Sequence, residues 1–166
     1  MTDVNHTNYR SVVVDALVPF ARKDKRIHLL VCDMGFGVTD VFREEFPDRT
    51  LNVGMMEQAT VGIAAGMAMT GLLPVVYSIV NFLAFRAIEQ IRNDVVLQDL
   101  NVKFIATGVN NYFSFLGKSH CCGEDDMKIM ELIGMKVFDP YTDTAGDFEK
   151  LVSDWINNDK PGYLRV

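Results

Sequence analysis

The sequence predicts an α/β protein, a single three-layer α/β/α domain built on a mostly parallel sheet. Short apolar runs alternate along the chain with segments whose apolar residues recur at helical spacing. The run Ile27–Cys32 is apolar almost throughout, which is typical of strands covered by helices on both faces of a parallel sheet. The length of 166 residues is that of one domain, and an apolar content of 49% supplies its core. We therefore expect one domain over residues 1–166.

The strands are predicted from apolar runs bounded by glycine, proline or polar residues. In chain order they are Ile27–Cys32, Thr50–Val53, Pro74–Ile79, Val102–Thr107, Lys136–Asp139 and Gly162–Val166. Ligands of parallel sheets bind outside the carboxyl ends of the strands. The loops that follow Cys32, Val53, Ile79 and Thr107 are therefore expected to form a functional rim.

The helices are predicted from apolar residues at helical spacing and from stop signals. In chain order they are Tyr9–Arg22, Val38–Phe46, Met55–Thr70, Phe82–Leu97, Glu124–Ile133 and Thr144–Ile156. Pro47 stops the second helix and Gly71 stops the third. Residues 110–123 show no period and are predicted to be a loop.

Charge and composition exclude several classes of protein. The 22 acidic and 16 basic residues leave a net charge of −6, which argues against a nucleic-acid partner. No run approaches the roughly 20 apolar residues of a membrane helix, and the first ten residues contain no apolar signal core. Three cysteines are too few, and odd in number, for a disulfide framework. We expect a cytoplasmic protein, and its nine methionines indicate apolar surface covered by a protein partner.

A first candidate site lies where the second strand gives way to the third helix. Glu57 stands at the start of a helix that is rich in glycine and alanine, just past a strand end. Its carboxylate has two interpretations. It is either a favourable charge at a helix N-terminus or a working acid at the rim.

Two further segments contain candidate functional residues. Phe82 and Phe85, three residues apart, face a ligand or belong to the core. His120 follows a glycine turn and precedes a helix with acids at its start, which suits proton transfer as well as a structural role. The neighbouring pair Cys121 and Cys122 falls far short of a zinc signature, and we expect no metal there.

The stretch from Phe46 to Asp94 resembles the pyrimidine-binding domain of transketolase-like thiamine diphosphate enzymes. It reads FPDRTLNVGMMEQATVGIAAGMAMTGLLPVVYSIVNFLAFRAIEQIRND, and the family shows a comparable FPxRxxNxGxxEQ segment, Gly/Ala-rich helix and RAxxQIR helix. The resemblance continues through Gly117–His120, Glu124–Asp125 and Pro140 to the end of the chain. It therefore covers Tyr9 to Val166.

The resemblance implies a role for each candidate residue. Glu57 would hydrogen-bond a ring nitrogen of the cofactor's aminopyrimidine and favour the imino tautomer, whose exocyclic nitrogen removes the proton from the thiazolium carbon. That role needs a carboxyl group that stays partly protonated, and burial against apolar surface favours that state. Met55 and Met56 are the expected wall. His120 would line the cavity around the reactive carbon.

By position in the family, Phe82 matches the residue that stacks on the aminopyrimidine, and Phe85 a neighbouring wall. The family often has an aromatic where Ile79 stands. The residues expected at the cofactor are therefore Met56, Glu57, Ile79, Phe82 and Phe85, and those expected to be catalytic are Glu57 and His120. Arg86, Gln90, Arg92 and Asp94 are expected at a subunit interface.

The chain departs from the family near His120. Lys118 replaces a proline, and Leu116 stands where the family usually has an acid that binds a hydroxyl of the donor sugar. A less hydroxylated donor is one consequence, so either a sugar or an oxoacid is the expected substrate. Arg165 falls where some members place a phosphate-binding arginine.

The family also implies an assembly. Its diphosphate-binding domain carries a GDG motif that serves Mg²⁺, and no GDG occurs in this sequence. We therefore expect a separate diphosphate-binding subunit that holds Mg²⁺, in a heterotetramer with two copies of each chain. The expected function is transfer of a two-carbon ketol unit. The alternatives are the corresponding subunit of a 2-oxoacid decarboxylase or dehydrogenase, and a non-catalytic module that retains the fold.

Overall fold

A six-stranded parallel sheet forms the centre of the computed structural model, which describes residues 8–142 and 147–166. Its strands are β1 (Ile27–Val31), β2 (Thr50–Asn52), β3 (Leu73–Ile79), β4 (Lys103–Thr107), β5 (Lys136–Phe138) and β6 (Gly162–Arg165). They lie in the order β2-β1-β3-β4-β6-β5, and every neighbouring pair is parallel. The predicted strands are confirmed to within two residues at their ends.

Helices cover both faces of this sheet. They are α1 (Tyr9–Lys23), α2 (Asp40–Glu45), α3 (Glu57–Met69), α4 (Ile88–Gln90), α5 (Asp125–Leu132) and α6 (Phe148–Ile156). α1, α2 and α6 pack on one face, and α3, α4 and α5 on the other. The three-layer α/β/α architecture is confirmed. Within the described ranges, no helix has the length and apolar character needed to cross a membrane. The predicted start of the last helix, Thr144, lies outside the described residues.

Two apolar cores follow from the alternation of side chains along each strand. Leu29 and Val31 point into the core beneath α1 and α6, while Leu30, between them, points toward α3. All three are at most 4% exposed. A strand buried on both faces must be apolar at every position, which is why these strands could be recognised in the sequence.

The predicted continuous helix Phe82–Leu97 is wrong. The segment forms a π-helical turn (Phe82–Arg86), the short α4, and a second π-helical turn (Ile91–Val96). Ala87 breaks the helical backbone between the first two, with φ −106° and ψ 15°. Helical spacing in the sequence does not distinguish these wider turns from an α-helix, and tertiary contacts of the side chains decide between them. Such π-turns are frequent at functional sites.

A buried ion-pair network anchors the last strand. Arg165 is 1% exposed and pairs with Asp126 at 3.0 Å and with Asp139 at 2.6 Å. The Tyr163 hydroxyl also donates to Asp126, at 3.2 Å. Burial raises the pKa of Tyr163 well above its ordinary value, as does the charge of Asp126. Arg165 is thus committed to two carboxylates and does not present its charge to a phosphate.

Lys103 is a buried cation at the amino end of the inner strand β4, opposite to the rim. Lys103 is 0% exposed, and its ammonium group donates to the carbonyl oxygens of Asn158 (2.5 Å) and Lys160 (2.6 Å). Burial lowers the pKa of Lys103 from 10.5 to about 8. Between these two values the unfolded chain binds more protons at this residue than the folded chain does.

The free energy of unfolding is therefore expected to rise through this pH window. Relative to Lys103→Met, wild type should gain about 1–3 kcal/mol between pH 8 and pH 10.5. Urea unfolding of both chains at several pH values measures the difference. Parallel stability curves for the two chains would contradict this expectation.

Candidate functional site

The site lies where the order of the strands reverses. β1 connects to β2 on one side and pairs with β3 on the other, so the loops after these strands diverge and leave a crevice at their carboxyl ends. α3 begins at this crevice with Glu57. Gly54 lies in the preceding turn with φ +82°, a left-handed conformation that favours glycine.

Glu57 is buried and held by two donors. Its side chain is 1% exposed. One carboxylate oxygen accepts a hydrogen bond from the Ser78 hydroxyl at 3.1 Å, and the other accepts from the Arg86 guanidinium at 2.5 Å. Ser78 comes from β3 and Arg86 from the π-turn that follows it, so the turn after β3 closes over the start of α3.

Phe82 links this ion pair to His120. The guanidinium carbon of Arg86 lies 4.2 Å from the centre of the Phe82 ring. The His120 ring meets the same phenyl ring edge to face, with 5.1 Å between ring centres. His120 also forms a 3.0 Å hydrogen bond through Nδ1 to the Ser119 hydroxyl. Glu57, Arg86, Phe82 and His120 therefore form one contiguous row, although they come from three separate segments of the sequence.

A polar contact ties the first two rim loops together. The side-chain oxygen of Asn52 accepts from the backbone N–H groups of Asp33 (3.1 Å) and Gly54 (3.0 Å), and its amide nitrogen donates to the Asp33 carboxylate (3.1 Å). Asp33 itself has φ +48°. This tie fixes the backbone that leads into α3, and so helps to set the position of Glu57.

The loop that carries His120 is fastened to the body of the protein by its next three residues. Asn81 donates to the Cys121 carbonyl at 2.8 Å, and within the loop the backbone N–H of Asn111 donates to the Cys122 carbonyl at 3.1 Å. Arg165 donates to the Gly123 carbonyl at 2.8 Å. The predicted loop over residues 110–123 is confirmed, with short 3₁₀ turns at 114–116 and 118–120.

The other residues expected at the cofactor are Met56, Ile79 and Phe85. Ile79 is partly buried against the α3 face of the core. Phe85 is 43% exposed, and among the described residues no ring contact joins it to Phe82. Met55 and Met56, the expected wall around Glu57, are 71% and 53% exposed in this chain. Within the chain, the Glu57 carboxylate contacts Ser78 of β3 and Arg86 of the π-turn.

The cysteines are thiols with different surroundings. Cys32 is buried near Glu57, with its sulfur 3.5 Å from the Thr60 hydroxyl, and this burial raises the pKa of its thiol. Burial, and next the charge of Asp126, raise the pKa of Cys122 to about 11. In the part of the chain that the structure describes, no group of three or more His, Cys, Asp or Glu side chains could hold a metal ion.

These residues fit an aminopyrimidine ring. Glu57 offers a buried carboxylate, and Phe82, partly exposed, offers an aromatic face beside it. The side-chain oxygen of Asn81, the residue before Phe82, is buried and finds no hydrogen-bond partner within the described ranges. A planar ring with amino and ring nitrogens would satisfy the carboxylate and the aromatic face.

Sequence reasoning missed Ser78 and the contact of Arg86 with Glu57. Ser78 could have been found, because alternation along β3 puts it on the same face as Val76, toward α3. Arg86, which is expected at a subunit interface, pairs within this chain with Glu57, a contact that the sequence did not indicate. The two residues are 29 positions apart in the chain, and no local pattern joins them.

Comparison with known proteins identifies relatives along the whole length. Residues 5–166 match the family model described as "Transketolase, pyrimidine binding domain". The chain is 30% identical over 158 residues to the 6-deoxy-6-sulfo-D-fructose transketolase subunit SqwH of Clostridium sp. (strain MSTE9), covering 95% of this chain and 48% of that protein. It is 34% identical over 126 residues to an apulose-4-phosphate transketolase subunit of Actinobacillus succinogenes, covering 75% and 40% respectively.

A solved structure agrees with these relatives. It is described as "Split gene transketolase, inactive beta4 tetramer" and superposes with a TM-score of 0.79 at 31% identity, covering 94% of this chain and 49% of that chain. The chain thus spans about half the length, or less, of the relatives that it matches.

Proposed function

The chain belongs to the family of transketolase pyrimidine-binding domains, and on that premise we propose that it forms the pyrimidine half of a thiamine diphosphate site. The proposed reaction is the transfer of a two-carbon ketol unit. The observation that carries the proposal is the buried carboxylate of Glu57 at the sheet's switch point, beside the partly exposed ring of Phe82. The family match supports the fold and the cofactor class. The position of Glu57 beside Phe82 supports the proposal that this site is catalytic.

Each residue of the row has a proposed task. When the cofactor is bound, Glu57 would share a proton between a pyrimidine nitrogen and the carboxyl oxygen that accepts from Arg86 in this structure, while Ser78 fixes the other oxygen and so the plane of the carboxyl group. Phe82 supports the face of the pyrimidine ring. The cofactor, when bound, supplies a carbon nucleophile for attack on a substrate carbonyl. His120 lies beside Phe82. Its proposed task is to donate a hydrogen bond or a proton to the substrate oxygen.

The crevice also needs a partner, in our proposal a second subunit that binds the diphosphate and Mg²⁺. Support comes from the relatives, since two are named as subunits of transketolases and the solved structure is described as a split-gene transketolase. Exposed apolar side chains on the rim offer a surface for such a partner. They are Phe36, Met55, Phe115 and Leu116. We propose a heterotetramer with two copies of each chain.

A second candidate function rests on Leu116. Its side chain is 50% exposed on the loop that carries His120, where it adds apolar rather than charged surface. Such surface suits a donor with fewer hydroxyl groups, and a 2-oxoacid is the simplest of these. The second candidate is therefore a subunit of a 2-oxoacid decarboxylase or dehydrogenase.

One experiment separates the candidates. The tagged chain is purified from its own cells with whatever accompanies it, and the complex is assayed with ketose phosphates and with 2-oxoacids in parallel. Ketol transfer without release of carbon dioxide supports the first proposal, and decarboxylation supports the second. A complex that does neither, although it contains a stoichiometric diphosphate-binding partner, would favour a non-catalytic module.

A further inference from the structure

Arg86 is the one member of the Glu57 row that the proposed chemistry does not use, although it makes the row's closest contacts. Its guanidinium lies on the Phe82 ring (4.2 Å) and donates to the Glu57 carboxylate (2.5 Å) at the same time. These are the two contacts that an aminopyrimidine would make at this site. We propose that Arg86 is an internal stand-in for the cofactor's pyrimidine ring, which must leave before the cofactor can bind. The inference rests on the proposed function.

The chemical likeness is specific. A guanidinium group is planar and presents N–H donors in a fixed fork, so it can stack on an aromatic face while it donates to a carboxylate. An aminopyrimidine is also planar and carries an amino group next to a ring nitrogen. Both groups need an aromatic face and a carboxylate edge, and one site cannot serve both at once.

The difference in burial between Glu57 and Arg86 decides which of the two side chains moves. Glu57 is 1% exposed and is also held by Ser78, whereas the side chain of Arg86 is 42% exposed. Arg86 can therefore swing into solvent, where water solvates its charge. When the stand-in is present, it satisfies a buried carboxylate that would otherwise be costly to leave unpaired. We infer that Arg86 stabilises the empty site and lowers its apparent affinity for the cofactor.

The expected effect is a gain in affinity when the stand-in is removed. When Arg86 occupies the site in most molecules, the apparent affinity for the cofactor falls in proportion to the fraction of molecules in which the site is open. In the complex of this chain with its co-purified partner, Arg86→Ala is expected to tighten the binding of thiamine diphosphate with Mg²⁺ by about tenfold or more. Isothermal titration calorimetry measures this affinity without any turnover. Arg43→Ala, which removes an exposed arginine paired with Asp40, is the matched control and should leave the affinity unchanged.

A chemical complementation separates this role from general loosening of the site. Millimolar guanidinium chloride should re-occupy the vacated position in the Arg86→Ala complex and weaken cofactor binding, relative to the same concentration of sodium chloride. The Arg43→Ala complex should respond equally to the two salts. Equal responses in both complexes would overturn the inference.

A measurement on the wild-type complex covers the case in which the variant fails to fold. The ring of Phe82, 4.2 Å from the Arg86 guanidinium carbon, is expected to shift the NMR signals of that group. These signals should move to the positions of a solvated arginine when thiamine diphosphate and Mg²⁺ are added. Signals that stay shifted in the saturated complex would overturn the inference. Cofactor binding that is unchanged or weaker in a folded Arg86→Ala complex would overturn it and leave the proposed function intact. A complex that binds no cofactor in any variant would overturn both.

Discussion

Glu57→Gln is expected to reduce ketol transfer by the complex by about 10²–10⁴-fold, which is the usual contribution of a positioned general acid or base. Glutamine keeps an oxygen that can accept from Ser78, so the shape of the site is retained. It can no longer hold and return a proton at the second oxygen. The rate constant for turnover should therefore fall much more than the affinity for the cofactor. Steady-state kinetics and calorimetry on the same preparation measure the two effects.

The matched control is the same substitution on a distant helix. Glu131 is exposed on α5 and lies outside the row, and Glu131→Gln should leave turnover unchanged. If Glu57→Gln kept full turnover in a complex that binds the cofactor, the carboxyl group would be an inherited feature of the fold. The interpretation as a non-catalytic module would then gain support.

Arg165→Met is expected to destabilise the protein by about 3–5 kcal/mol, because it leaves two buried carboxylates without their shared cation. Asp126 is 0% exposed and Asp139 is 3% exposed. The lost hydrogen bond to the Gly123 carbonyl should also loosen the loop that carries His120. Urea or thermal unfolding of the variant measures the loss, and hydrogen exchange at residues 117–123 reports on the loop.

A surface arginine provides the control for this prediction. Arg22 makes two short contacts with Glu45, at 2.6 and 2.7 Å, but both side chains are well solvated. Exposed pairs contribute little even when their geometry is good. Arg22→Met should therefore leave the midpoint of unfolding almost unchanged. Equal losses from Arg22→Met and Arg165→Met would contradict the importance given to burial.

Much of the fold could be predicted because burial on both faces constrains the composition of these strands. Leu30 and Val31 face opposite cores and both must be apolar, so β1 stands out as a continuous run. The break at Ala87 could not be predicted in this way. The segment around it has apolar residues at helical spacing, and only contacts with distant parts of the chain select the π-turns.

In the candidate site, some residues could be predicted from the sequence but their contacts could not. Glu57, Phe82 and His120 stood out because each lies in a short motif at the end of a predicted strand or in the loop after it. Their mutual contacts could not be predicted, since Glu57 and Arg86 meet only because the turn after β3 folds over the start of α3. Ser78, the other donor to the Glu57 carboxylate, lies 21 positions away in the chain, so it too is set by the fold and not by proximity in sequence.

Calorimetric titration of thiamine diphosphate and Mg²⁺ into the isolated chain, and into the complex with its co-purified partner, tests the proposed function most directly. In the proposal this chain supplies only the pyrimidine half of the site. We therefore expect no appreciable binding by the isolated chain and saturable binding by the complex, weakened by Glu57→Gln only modestly. Micromolar binding by the isolated chain, or no binding by a complex that contains a stoichiometric partner, would contradict the proposed function.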